Sequence, residues 1–100
     1  MADRDIENEA LVTTVAKLEI EYLQRHYALA TDLIGLNTEE SIARGRAIYR
    51  RVFTPDVKIR ATEKGELVFA AVGPEAWLDV AAGALSVFDK TQHLVGTQIV

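Results

Sequence analysis

Side chains able to move a proton near neutral pH are scarce in this chain. Of its 100 residues only His26 and His93 carry an imidazole, and there is no cysteine. An imidazole can take and return a proton at neutral pH, and a carboxylate bonded to one ring nitrogen fixes which nitrogen carries the hydrogen. Without thiols, and with two histidines far apart, the sequence holds no metal-ligand spacing; it also lacks a glycine-rich phosphate loop and a nucleophile elbow. Neither a metal nor an organic cofactor is expected. Arg44, Arg46, Arg50 and Arg51, with Lys58 and Arg60 beyond them, form one basic cluster, but these positions scatter around a helical wheel and lack interleaved exposed aromatics. A solvated face balanced by the acidic N-terminal segment is the expected reading. The formal charge of -4, from 15 acids against 11 bases, also argues against a nucleic-acid partner.

The elements that must position these groups can be read from periodicity. From Ile6 to Ile34 apolar residues recur in steps of three and four, which predicts a helix. One stripe is Leu11, Val15, Leu18, Tyr22, His26, Leu29 and Leu33; beside it run Val12, Ala16, Ile20, Leu23, Tyr27, Ala30 and Ile34. Asp3 or Asp5 can cap its start, and Gly35 stands where a left-handed terminator belongs. One straight helix would span about 45 Å, more than a domain of this size covers, so a break near Thr13-Thr14 or a separately packed N-terminal turn is expected. On this wheel Asp32 lies at the edge of the apolar face. There either Arg25 offsets its charge in solvent, or the carboxylate turns inward toward a partner such as His93. His26 reads as a packed or partly buried helix residue.

Asn37 followed by Glu40 resembles a capping box for a second helix starting near Thr38, with Ile42, Ile48, Tyr49, Val52 and Phe53 inward, and Thr54-Pro55-Asp56 stops it. Val57–Ala61 and Leu67–Val72 read as strands joined by a turn at Glu63–Glu66. Gly73-Pro74-Glu75 opens a third helix whose inward stripe is Trp77, Val80, Ala81, Ala84, Leu85 and Phe88, ending near Asp89-Lys90. His93–Val100 reads as a third strand. The order implies one α+β domain over residues 1–100 with helices on one face of a sheet. An apolar strand ending at Val100 would leave an open edge, so further C-terminal strands, or a partner subunit, are expected to cover it. No run is long and apolar enough for a membrane span and no secretory signal opens the chain; with zero cysteines, a cytoplasmic location is the expectation.

Four pieces in order carry a family resemblance. They are Tyr27-Ala28-Leu29-Ala30-Thr31-Asp32, Val52-Phe53-Thr54-Pro55-Asp56-Val57, Gly73-Pro74-Glu75-Ala76-Trp77 and Thr91-Gln92-His93-Leu94-Val95-Gly96. Together they resemble the NTF2-like superfamily, in its SnoaL-like and scytalone-dehydratase-like branch, from about Ile6 onward. The resemblance implies a cone: a curved, mostly antiparallel sheet of about six strands around an apolar pocket, of which about three fall in this chain, commonly in a homodimer or higher oligomer. It also implies a catalytic pair at Asp32 and His93, acting on a small apolar cyclic or polyketide-like substrate as a lyase or isomerase; Tyr27 is the expected hydroxyl donor beside the pair, as a substitute and not as a carried-over position. Two departures are visible. Ala61 stands where the branch has a pocket tyrosine, which leaves Tyr22, Tyr27 and Tyr49 as substitutes, and the branch's second histidine would fall beyond Val100. The superfamily equally hosts non-catalytic ligand-binding and dimerisation modules.

Overall fold

A computed structural model describes the backbone of residues 2–96 and the side chains of residues 4–96. The elements follow the order α1 (Ala2–Gly35), α2 (Glu39–Val52), β1 (Lys58–Glu63), β2 (Glu66–Val72) and α3 (Pro74–Leu85). The described residues form three helices and one two-stranded antiparallel sheet, and the class is α+β.

The expected break in the first helix does not occur. Thr14 donates its hydroxyl to the carbonyl of Ala10 at 2.8 Å, so the threonine is satisfied inside the helix instead of competing with it. The length objection is met by protrusion. Every residue from 4 to 20 is exposed, the longest dimension of the molecule is 58 Å, and the radius of gyration is 16.9 Å, against about 13 Å for a compact chain of this length.

The terminator of α1 is also displaced from its expected place. Asn37, at φ 57, takes the left-handed conformation, and the last turn tightens through bonds from Leu36 N–H to Leu33 and from Asn37 N–H to Ile34. Asn37 is therefore unable to cap α2. Thr38 does so from an extended conformation, accepting from the Ser41 N–H while Ser41 Oγ accepts from the Thr38 N–H, each at 3.1 Å. Gly35 serves a different purpose, because a β-carbon there would sit 2.8 Å from Thr91 Oγ1 and 3.2 Å from Leu85.

α1 and α2 cross closely at Gly45. A β-carbon on Gly45 would stand 2.6 Å from the Ile34 side chain and 2.9 Å from the carbonyl oxygen of Ala30, which is backbone and cannot rotate away. Gly45→Ala is expected to destabilise the fold by about 1–2 kcal/mol, with the overpacking cost exceeding the roughly 1 kcal/mol gained in helix propensity. A urea midpoint at or above that of the parent would contradict this.

Lys64 (φ 54) and Gly65 (φ 80) make the tight turn between β1 and β2, as their paired left-handed conformations suit a hairpin. Ile59 pairs with Ala71 and Ala61 with Phe69, so these four share the face turned to the helices. Gly73 N–H then donates to Val57 at 2.7 Å, and Pro74 opens α3. α3 ends at Leu85, before Phe88, which is 56% exposed; Leu78, outside the expected stripe, is 3% exposed and joins the core instead. Residues 91–96 form no strand and run as an irregular segment past α1, while 97–100 of the expected third strand lie outside the described residues. The core comprises Ala30, Ile34, Tyr49, Trp77, Leu78 and Ala81.

Candidate active site

Asp32 projects from the last turn of α1, where no basic residue offsets the helix dipole. Its compensation comes from a segment 59 to 61 residues away. The carboxylate accepts from the His93 ring at Nδ1 (2.5 Å), from the His93 backbone N–H (3.0 Å to each oxygen) and from the Thr91 hydroxyl (3.2 Å). Partial burial pushes this carboxyl upward, but the ring and backbone hydrogen bonds of His93, its charge, and the bond from Thr91 outweigh that push and hold it below the usual carboxylate range. The solvent-facing alternative is not realised, since among the described residues Arg25 makes no ion pair with Asp32.

The consequence for the imidazole is a defined tautomer. An ionised carboxylate only accepts, so Nδ1 must be the donor, and in the neutral ring Nε2 is left with its lone pair. Nε2 has no hydrogen-bond partner among the described residues. The His93 side chain is 40% exposed and that of Asp32 24%, so the pair sits at a rim and not in the core. No protein-family model, curated protein or solved structure matches the chain.

His93 lines an apolar cavity of about 190 Å³ between α1, α3 and the hairpin, together with Tyr27, Ala61, Phe69, Trp77 and Leu85. On its other side, His93 and Asp32 border an open groove with Arg25 and Leu29. Tyr27 forms part of the wall between the small cavity and a larger apolar groove of about 510 Å³ lined by Leu23, Phe53 and Leu94. That larger groove contains neither Asp32 nor His93, so size alone does not locate the chemistry.

The three tyrosines separate cleanly. Tyr27 reaches the cavity, and its hydroxyl accepts from the Trp77 indole N–H at 3.2 Å, which leaves the phenolic proton to donate. Tyr49 is fully buried. Its hydroxyl lies 2.6 Å from Thr31 Oγ1, and because Thr31 spends its own proton on the Tyr27 carbonyl at 2.9 Å, Tyr49 is the donor. Burial pushes the Tyr49 phenol well above its ordinary value, so it stays neutral. Tyr22 faces outward, stacked on His26 and accepting from Arg51 at 2.9 Å.

Sequence reasoning assigned no role to Thr91, Thr31 or the Trp77 indole. Thr91 was accessible in principle, since residues two apart in an extended segment face the same way, so a hydroxyl two before His93 can share its partner. Half of the basic cluster resolves into local contacts, Arg51 with Tyr22 and two arginines with one acid. Arg46 and Arg50 both bind Glu75 at the α2–α3 contact, at 3.1 and 2.6 Å; desolvation pushes that carboxyl upward, but the hydrogen bonds and charges of the two arginines together outweigh it and hold the group below its ordinary range. Among the described residues no group of three or more acidic or histidine side chains converges as a metal site, and no helix is long and apolar enough to cross a membrane.

Proposed function

We propose that this chain is an NTF2-like domain acting as a lyase or isomerase of dehydratase type, cofactor-independent and cytoplasmic, on a small apolar cyclic or polyketide-like substrate, as a homodimer or higher oligomer. The observation that carries the reading is the Asp32–His93 hydrogen bond beside an apolar cavity, with Nε2 unpartnered. In a β-hydroxy ketone, Nε2 takes the proton next to the carbonyl while the Tyr27 hydroxyl polarises the carbonyl oxygen. The imidazolium, stabilised by Asp32, then gives that proton to the departing hydroxyl; one C–H and one C–O bond break, a C=C bond forms and water leaves. The sequence pieces named above and the order of two helices, a hairpin and a third helix support the fold assignment.

One observation favours a second reading, a ligand-binding module without turnover. Asp32 accepts from the backbone of His93 and from Thr91 as well as from the ring, so the same carboxylate also clasps residues 91–93 onto α1. The test is absorbance-monitored enone formation from small cyclic β-hydroxy ketones by the parent and by His93→Gln. Loss of about 10²–10⁴-fold in turnover, with ketone binding retained, is expected for a general base. Undiminished turnover in the variant, or a parent that binds the ketone without converting it, would overturn the enzymatic reading.

A further inference from the structure

The protruding half of α1 presents an apolar face that nothing among the described residues covers. Leu11, Val15, Leu18, Tyr22 and Leu29 lie on one side of the helix and are each between 45% and 64% exposed. The spacing of the first four, four-three-four, is that of a two-helix seam. Residues 4–20 have no buried member, and Val12, Thr13, Thr14 and Val15 are β-branched, so intrinsic propensity is a weak support for a helix of this length standing alone in water.

We infer that this face pairs with the same face of a second copy, the two α1 helices running antiparallel about a two-fold axis between Val15 and Leu18. Charge decides the direction. The N-terminal end of the seam is flanked by Asp5, Glu7 and Glu9 against Arg4 and is net acidic, whereas at the other end Glu19 and Glu21 are offset by Arg25 and by Arg51, which is held beside the seam through its bond to Tyr22. A parallel pair sets the acidic ends against each other; an antiparallel pair sets each acidic end against the partner's arginines. The register follows from the two-fold axis, since an isologous contact made in one direction is made again in the other. Leu11 then meets Tyr22, Val15 meets Leu18, and Glu7 comes level with His26, one residue from Arg25.

The area is adequate. The exposed seam offers on the order of 500 Å² per copy, in the range of the largest and often functional apolar patches on single-copy surfaces and, doubled, about the 1,000 Å² that a specific interface needs. Because this half of α1 lies outside the core, disrupting the seam leaves the rest of the fold in place.

Sedimentation velocity on the full chain tests the pairing, and the absence of native cysteine permits a single labelling site. The parent is expected to be dimeric at micromolar concentration, and Leu18→Glu to weaken association at least tenfold while the near-ultraviolet signal of Trp77 is unchanged. Nitroxide labels on Asn8→Cys are expected about 25 Å apart along the axis in the antiparallel pair, against about 10 Å in a parallel one. A monomeric parent would assign the face to some other occupant. A dimer indifferent to Leu18→Glu would place the interface elsewhere, and labels at the shorter distance would reverse the direction; each overturns the inference.

Discussion

On the proposed dehydratase reading, Asp32→Asn is expected to lower turnover by about 10²–10⁴-fold while costing the fold only about 1–2 kcal/mol. The two effects separate because the carboxylate has two tasks. Its amide replacement keeps an oxygen that can accept from the His93 backbone N–H, so the clasp on residues 91–93 weakens without vanishing. The amide can also donate, however, and a donor facing Nδ1 favours the tautomer with hydrogen on Nε2, where the lone pair is needed. The variant is thus expected to be folded but mis-tautomerised.

Stability against pH provides an independent reading of the same residue. The folded pKa of Asp32 lies below its ordinary value of 3.8, so the folded state binds this proton less readily than the unfolded state. The stabilisation is complete above pH 3.8 and is lost as pH falls from there through the lower folded value. Asp32→Asn removes that contribution, so its stability loss relative to the parent shrinks as the pH falls through this window. A loss that stays constant across it would show that the clasp does not depend on the ionised carboxylate.

The approach of these two groups was legible only in part. Helical periodicity placed Asp32 at the edge of the apolar face and left two outcomes, because a wheel contains no information about a segment some sixty residues later. The resemblance of the Thr91-Gln92-His93 stretch supplied the partner, and the geometry adds the backbone N–H and the Thr91 hydroxyl that make Asp32 a clasp as well. Local chemistry was the more readable part of the fold. Pro55 ended α2, Gly73-Pro74 began α3 and Lys64-Gly65 turned the hairpin, each through backbone preferences that act within a few residues. The misreadings arose where two local claims competed or where packing decided. Asn37 could cap one helix or terminate the other, and terminating α1 shifted the cap to Thr38. Phe88 continued a helical stripe, but α3 stops at Leu85 and the ring is left outside, while Leu78 takes the buried place. Gly45 carried no local sign of the close crossing it permits, since the atoms that require a glycine belong to another helix.

Tyr49→Ala is expected to cost about 3–5 kcal/mol, a larger stability loss than either Gly45→Ala or Asp32→Asn brings. The ring is fully buried between Tyr27, stacked at 5.7 Å and 9°, and Phe53, tilted at 5.3 Å, at the junction of α1 and α2. Removing it opens a void that neighbours on two packed helices cannot collapse to fill, and it withdraws the proton that Tyr49 donates to Thr31. Against a total of roughly 5–15 kcal/mol for a domain, that is a large share. Tyr49→Phe isolates the polar part. The phenyl ring keeps both aromatic contacts, Thr31 still donates to the Tyr27 carbonyl, and only one hydrogen bond is lost, for about 1 kcal/mol. Urea denaturation of the two variants, read at equal slope, checks the ratio. Equal losses would mean that the hydroxyl, and not the packed ring, secures the junction. The expected inequality also bears on the site, because Tyr27 stacks on this ring and offers its own hydroxyl to the cavity. Tyr49→Phe should therefore preserve turnover, whereas Tyr49→Ala should lose it even at temperatures where the chain remains folded.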